Sequence, residues 1–170
     1  TGRMTANPTS GEPLPELPQV LPPVTLILLT WNRWELTRRC LETLLASDLT
    51  GAQLLVVDNG SSDGTPARLA EFPAAQLLAV PANLGFVRGN NAGIAAAPDG
   101  NDIVLLNNDL EFLQRDWLQR LRAAAHSAPD IGVVGCRQVL SDGRLLHAGT
   151  YVLPDTMWGQ QIGALEQDIG

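Results

Sequence analysis

Carboxylates, amides and glycines are concentrated in three short stretches of the sequence: Asp58-Asn-Gly-Ser-Ser-Asp-Gly64, Asn83-Leu-Gly-Phe-Val-Arg-Gly-Asn-Asn-Ala-Gly93 and Asn107-Asn-Asp-Leu-Glu111. A fourth, Thr30-Trp-Asn-Arg33, sets an indole plane beside polar groups. Glycine lets a ligand approach the backbone closely, and amides at a helix N-terminus attract an anion. A carboxylate at the end of a buried strand suits a hard divalent cation that bridges to diphosphate oxygens. Brought together, the four stretches would hold a base, a ribose, a diphosphate and a metal. Each has a plainer reading when taken singly. The Asn-Gly-Ser-Ser-Asp-Gly run is good turn chemistry, Asn-Asn-Asp a helix cap and Trp31 a packing residue. His147 reads as a core or turn histidine, His126 as a helix C-terminal residue, and Arg115, Arg120 and Arg122 as a solvated helix face.

Whether the stretches meet depends on the elements between them. Val24–Thr30 is a continuous apolar run, as expected of a strand buried on both faces. Glu35 to Ser47 has helical spacing, with Leu36, Cys40, Leu41, Leu44 and Leu45 on one face and Arg38, Arg39 and Glu42 on the other. Further strands are expected at Gln53–Asp58, Gln76–Val80, Asp102–Leu106 and Ile131–Val139. Helices are expected at Thr65–Phe72, Arg88–Ala97 and Asp116–Ser127. Ser141-Asp-Gly-Arg144 reads as a turn from which Leu145–Leu153 returns as a hairpin. Alternating strands and helices with short links imply an α/β fold, a mostly parallel sheet with helices on both faces. Ligands of such sheets bind outside the carboxyl ends of the strands, where all four polar stretches fall.

The chain of 170 residues is long enough for one domain with a proper core. That domain is expected over 24–170, preceded by a disordered proline-rich tail or linker over 1–23 that holds Pro8, Pro13, Pro15, Pro18, Pro22 and Pro23. A net charge of -7 argues against a nucleic-acid partner, yet it leaves local phosphate binding open through a metal or oriented amides. Cys40 and Cys136 are isolated, with neither disulfide nor zinc spacing, which fits a reducing compartment. With no secretory pattern and no apolar stretch that spans a bilayer, the expected location is cytoplasmic, with peripheral association at the inner membrane.

The ordered motifs resemble family 2 glycosyltransferases. Val24–Arg33 is similar to that family's opening strand. Val56-Val-Asp-Asn-Gly-Ser-Ser-Asp-Gly-Thr65 resembles its second signature and Asn83–Ile94 its third. Leu105-Leu-Asn-Asn-Asp109 stands where the family carries its DXD-type metal motif. Ile131–Gly135 and Asp142–Gly149 resemble segments of its rhamnosyltransferase-like branch. The resemblance covers Val24 to about Pro154. It implies a GT-A (Rossmann-like) fold, a dTDP- or UDP-sugar donor, and a glycan or lipid-linked acceptor, with inversion. Asp58 and Asn59 would contact base and ribose, with Thr30, Trp31 and Asn32 beside the base. Asn83, Asn90 and Asn108 would line the nucleotide site, Asn90 near the diphosphate. Asp109 would bind Mn²⁺ or Mg²⁺, which neutralises charge on the departing nucleotide.

Asn107-Asn108-Asp109 carries one carboxylate where many members have two or three, so the cation is expected to arrive with the donor. Glu111 is a second carboxylate close by in sequence that could help. The family's catalytic base lies downstream, in an acidic pair with no counterpart after Pro154. Glu166 and Asp168 fall too early, and no base is assigned. The chain is therefore expected to be truncated before the acceptor half. Two other readings stand beside this one. A non-catalytic nucleotide-binding or scaffold module would share the site but lack the acceptor half. A nucleotidyltransferase would share the sheet and metal use, but it would open with a glycine-rich loop that Thr30–Arg33 lacks.

Overall fold

The computed structural model describes residues 21–153, 155, 159–162 and 165–166. Most of the expected proline-rich tail, and Asp168, lie outside these residues. The chain divides into two compact units, one over Val20–Gln119 and a second that includes residues from Arg120 onward.

The first unit is built on β1 (Val24–Thr30), all seven residues of which are buried. It lies between β2 (Ala52–Asp58) and β4 (Asp102–Asn107), and β3 (Ala75–Ala79) flanks β2, so the four-stranded order is β3-β2-β1-β4. All pairings are parallel and unbroken in register, with Thr30 beside Asp58 and Leu29 beside Asn107. The carboxyl ends of β1, β2 and β4 therefore finish at one edge. Ile27, Leu29, Leu55 and Val57 form a buried cluster on one face, joined by Leu78.

That face carries α3 (Gly85–Ala96), whose buried side is made of Gly89, Asn90 and Gly93 rather than large apolar residues. The reason is contact distance. A Cβ on Gly93 would stand 2.6 Å from Ile27 Cγ2 and 2.9 Å from Val57 Cγ2, and one on Gly89 would stand 2.7 Å from Leu29 Cδ1. The opposite face, to which Thr30 points by strand alternation, carries α1 (Trp34–Leu45). Helices thus cover both faces, as expected.

The buried stripe of α1 is Trp34, Thr37, Cys40, Leu41 and Leu44. Leu36, expected on the core side, is exposed instead. The helix begins one residue earlier than expected, and its first turn anchors through Trp34, in edge contact with Phe72 at 6.1 Å and 60°. The expected Thr65–Phe72 helix is α2 (Thr65–Arg68) continued by a 3₁₀ turn over Leu69–Glu71. α4 (Trp117–Ala125) opens with Trp117 stacked at a tilt on Phe112, their centroids 4.8 Å apart. His126 directly follows its last turn.

In the second unit the expected strand Ile131–Val139 shrinks to β5 (Gln138–Val139), antiparallel to β6 (Leu145–His147) across a turn in which Gly143 takes a φ of 84°. Leu140 N–H donates to Arg144 O and Gly143 N–H to Leu140 O, so the hairpin forms where the turn residues place it. An apolar run becomes a strand only with a ladder partner. Residues 131–137 belong to no strand among the described residues, and Val133 is 92% exposed. β7 (Thr150–Val152) pairs with β8 (Gly159–Gln161).

Gly93→Ala tests the close packing of α3. A better helix former gains about 1 kcal/mol, but overpacking against two β-branched side chains costs about 1–3 kcal/mol. A net loss of stability is expected, read as a lower urea midpoint with an unchanged slope.

Candidate nucleotide site

At the sheet's carboxyl edge the turn Asp58–Gly64 holds two of its neighbours, the turns that follow β1 and β3. Asn59 is 3% exposed, and its amide is spent on neighbours. Its Nδ2 donates to Asn83 Oδ1 at 3.1 Å and to Gly85 O at 3.3 Å, while its Oδ1 accepts from Leu84 N–H at 2.9 Å. Asn83 Oδ1 also accepts from Gly85 N–H at 2.7 Å, which closes the entry to α3. Gly60, at a φ of 76°, brings the two turns into backbone contact. A Cβ there would stand 2.6 Å from Ala82 C and 2.8 Å from Asn83 N.

The first turn is clasped from the same side. Asn32 N–H donates to Ser61 Oγ at 2.7 Å, and Asn32 Oδ1 accepts from Ser62 N–H at 2.8 Å. Asn32 and Arg33 both hold positive φ, 54° and 55°, a left-handed pair that costs free energy in non-glycine residues and persists only where surrounding bonds impose it. Arg33 makes no side-chain cap on α1. Asp63 supplies one from a distance: its Oδ2 accepts from Trp34 N–H at 3.3 Å, while its Oδ1 accepts from Thr65 N–H at 3.0 Å and Thr65 Oγ at 2.6 Å. One carboxylate thus serves the starts of α1 and α2. The Thr65 hydroxyl bond is the main cause that holds Asp63 below its ordinary pKa.

Asp58 is 2% exposed. Its Oδ2 accepts from Ser61 N–H at 3.1 Å, while its buried Oδ1 has no hydrogen-bond partner. Such an atom is costly to leave unsatisfied. Trp31, which follows Thr30 at β1's exit, is 53% exposed and presents its indole rather than packing it. Asn90, 4% exposed, donates from Nδ2 to Phe86 O at 2.9 Å within α3.

Beyond β4, Asn108 Nδ2 donates to Thr37 Oγ1 at 2.9 Å and to Thr30 Oγ1 at 3.3 Å, and the two hydroxyls bond each other at 2.7 Å. Asp109 is exposed. Glu111 is engaged elsewhere, in an ion pair with Arg39 at 2.6 Å. Burial pushes the Cys40 thiol up to about 11, aided by the charge of Asp109, so it stays protonated and donates to Asn107 O at 3.6 Å. Among the described residues no three His, Cys, Asp or Glu side chains gather as a metal cluster. In the second unit His147 is half-buried and pairs with Gln138, and Glu166 is exposed with its carbonyl accepting from Leu145 N–H.

The nine expected site residues all lie in the first unit: Thr30 and Asp58 end β1 and β2, Asn90 is on α3, and the other six are on the turns that leave the carboxyl ends of the strands. Thr37, Gly60, Ser61 and Asp63 carry the turns without having been singled out by sequence reasoning. Asp63, two residues before a Thr-Pro helix start, bore a capping signal. Thr37 bore one in its place on the 34/37/41/44 stripe.

The parallel sheet with its polar carboxyl edge is an α/β fold of the GT-A kind. The sequence profile described as Glycosyl transferase family 2 matches residues 25–156, and the chain belongs to that family. It is 34% identical to succinoglycan biosynthesis protein ExoO of Rhizobium meliloti over 129 residues, 74% of this chain and 36% of that protein. It is 30% identical to O-antigen biosynthesis protein RfbC of Myxococcus xanthus, over 77% of this chain and 10% of that one. An uncharacterized protein of Sinorhizobium fredii, y4gI, is 31% identical over 77% of this chain and 15% of its own length. The chain therefore spans little more than a third of these relatives at most. Among solved structures, the mannosyltransferase PcManGT of Pyrobaculum calidifontis, in complex with GDP-Man and Mn²⁺, superposes with a TM-score of 0.64 at 27% identity, over 74% of this chain and 39% of that one. Staphylococcus aureus TarS shares the fold at a TM-score of 0.51 and 19% identity, over 57% of this chain and 30% of that one. No helix among the described residues is long and apolar enough to cross a membrane.

Two variants probe the turns. Gly60→Ala meets backbone on one side and an unfavourable φ on the other, so it is expected to lower the melting temperature, by an amount that corresponds to about 2 kcal/mol or more. Asp63 has a folded pKa below its unfolded value. Its contribution is present above the unfolded pKa, near the 3.8 of an ordinary carboxyl, and is lost as pH falls through the folded value. Asp63→Asn should therefore flatten the acid limb of stability below about pH 4, measured by urea unfolding across that range.

Proposed function

We propose that the chain is the donor-binding part of an inverting, metal-assisted glycosyltransferase. In this reading it takes a sugar from a dTDP- or UDP-linked donor and passes it to a glycan or lipid-linked acceptor. The observation that carries this reading is the buried Asp58 Oδ1 without a partner, at the edge where the turns converge. A carboxylate only accepts, so the group that completes it must bring an N–H or an O–H. The imide N–H of uracil or thymine does so, and guanine offers an equivalent donor. Trp31 supplies an exposed face for a base to stack on. Asn59, Asn32 and Asn83 shape the walls through bonds to one another's turns, and Thr30 ties β1 to the middle turn by accepting from Asn59 N–H at 2.8 Å. The entry of α3, with Asn90 behind it, faces the diphosphate with its N-terminal dipole.

One exposed carboxylate, Asp109, is a weak site for a cation by itself. It fits a hard divalent ion that takes most of its oxygens from diphosphate and water, as Mg²⁺ and Mn²⁺ do. When bound, the ion neutralises charge on the departing nucleotide. Asn108, fixed by two hydroxyls, sets the path of the backbone into Asp109. The likeness to a GDP-Man and Mn²⁺ complex supports the nucleotide and metal in kind, and ExoO and RfbC support surface-polysaccharide synthesis as the setting.

Thermal melting tests the reading. UDP, dTDP or GDP at about a hundred times its Kd, with Mn²⁺, should raise the melting temperature by about 5 °C or more, with the monophosphate UMP much weaker. Asp58→Asn should remove the nucleotide effect, and Asp109→Asn only its Mn²⁺-dependent part. No shift with any of the three diphosphates at millimolar concentration would overturn the assignment.

A further inference from the structure

A threonine inside a helix is a poor helix former, and a fully buried hydroxyl needs partners to offset its lost hydration. Thr37 is such a residue, in the first turns of α1 at 0% exposure. Its Oγ1 bonds Thr30 Oγ1 at 2.7 Å and accepts from Asn108 Nδ2 at 2.9 Å. Three elements therefore meet at one side chain: the last residue of β1, the body of α1 and the turn that leaves β4.

The same helix grips that turn on either side of Asp109. Cys40 Sγ donates to Asn107 O, and Phe112 N–H donates to Thr43 Oγ1 at 3.2 Å. Thr37, Cys40 and Thr43 stand at i, i+3 and i+6, one face of a helix, and hold residues 108, 107 and 112. Arg39 adds the exposed ion pair to Glu111. Asp109 itself is exposed, so its carboxylate is available while the backbone before and after it is fastened.

We infer that Thr37 is a positioning residue: through Asn108 it locks the turn bearing Asp109 to the end of β1, so that Asp109 is presented at the edge where Asp58 opens. The functional consequence rests on the donor-site reading above, while the locking itself does not. The hydroxyl is the active part, because a side chain of the same shape without it leaves Asn108 only the 3.3 Å bond to Thr30.

Thr37→Val keeps the volume and removes the hydroxyl, and Thr37→Ser restores it. Amide hydrogen exchange in the full chain reads the turn directly. Thr37→Val should speed exchange at residues 108–112 by about tenfold, the ratio that follows from one lost buried hydrogen bond, with residues 52–65 unchanged and Thr37→Ser close to the parent. Melting with the nucleoside diphosphate reads the consequence: the Mn²⁺-dependent increment should fall in Thr37→Val, the metal-free increment should persist, and Thr37→Ser should recover both. Unchanged exchange at 108–112 overturns the inference, and so does a rise spread over the whole first unit, which would make Thr37 a packing residue only. Local acceleration in a parent chain that no nucleotide stabilises upholds the lock and overturns the donor-site reading instead.

Discussion

The structure depends on β1 being buried along its whole length between two parallel neighbours. A strand with no solvent face must be apolar or internally satisfied throughout. Its two polar residues meet this demand: Thr25 accepts from Gln53 and Asn101 at one end, and Thr30 joins Thr37 and Asn108 at the other. Because β2 and β4 pair with β1 residue for residue, Asp58 stops level with Thr30 and Asn107 level with Leu29. A slip of one residue in either ladder would turn Asp58 or Asn107 to the opposite face of the sheet.

The turns at that edge are tied to each other. Asp58–Gly64 is the hub, with Asn59 and Gly60 reaching the turn before α3, and Ser61, Ser62 and Asp63 reaching the turn before α1. This network imposes the left-handed pair at Asn32 and Arg33, which local preference alone would not hold. Turns held this way are preorganised, so a ligand that bound at them would not need to supply the ordering free energy.

Three carboxylates in this region have different fates, decided by what surrounds each. Asp63 is spent on the starts of two helices, Asp58 is half-satisfied in the interior, and Asp109 stands in solvent at the end of a clamped turn. In a chain with a net charge of -7, a diphosphate meets a repulsive background. In the proposed reading, binding one calls for local positive potential, which a cation at Asp109 and the amides that open α3 would supply.

The sequence by itself determined the order of elements, the burial of β1, the placement of every polar stretch at a strand exit and the family, because hydrophobic period and turn chemistry are local properties. It misplaced Leu36, since a helical stripe can be drawn through either Leu36 or Trp34 and Thr37 until the neighbour that selects one is known. It overextended the strand at Ile131–Val139, since an apolar run says nothing about whether a ladder partner exists. Only tertiary structure decided that the amides of Asn32, Asn59 and Asn108 bind other turns, that Asp63 serves two helices and that Asp58 keeps one oxygen unmet. These are contacts between residues up to 78 positions apart, and no local pattern encodes which donor will reach which acceptor.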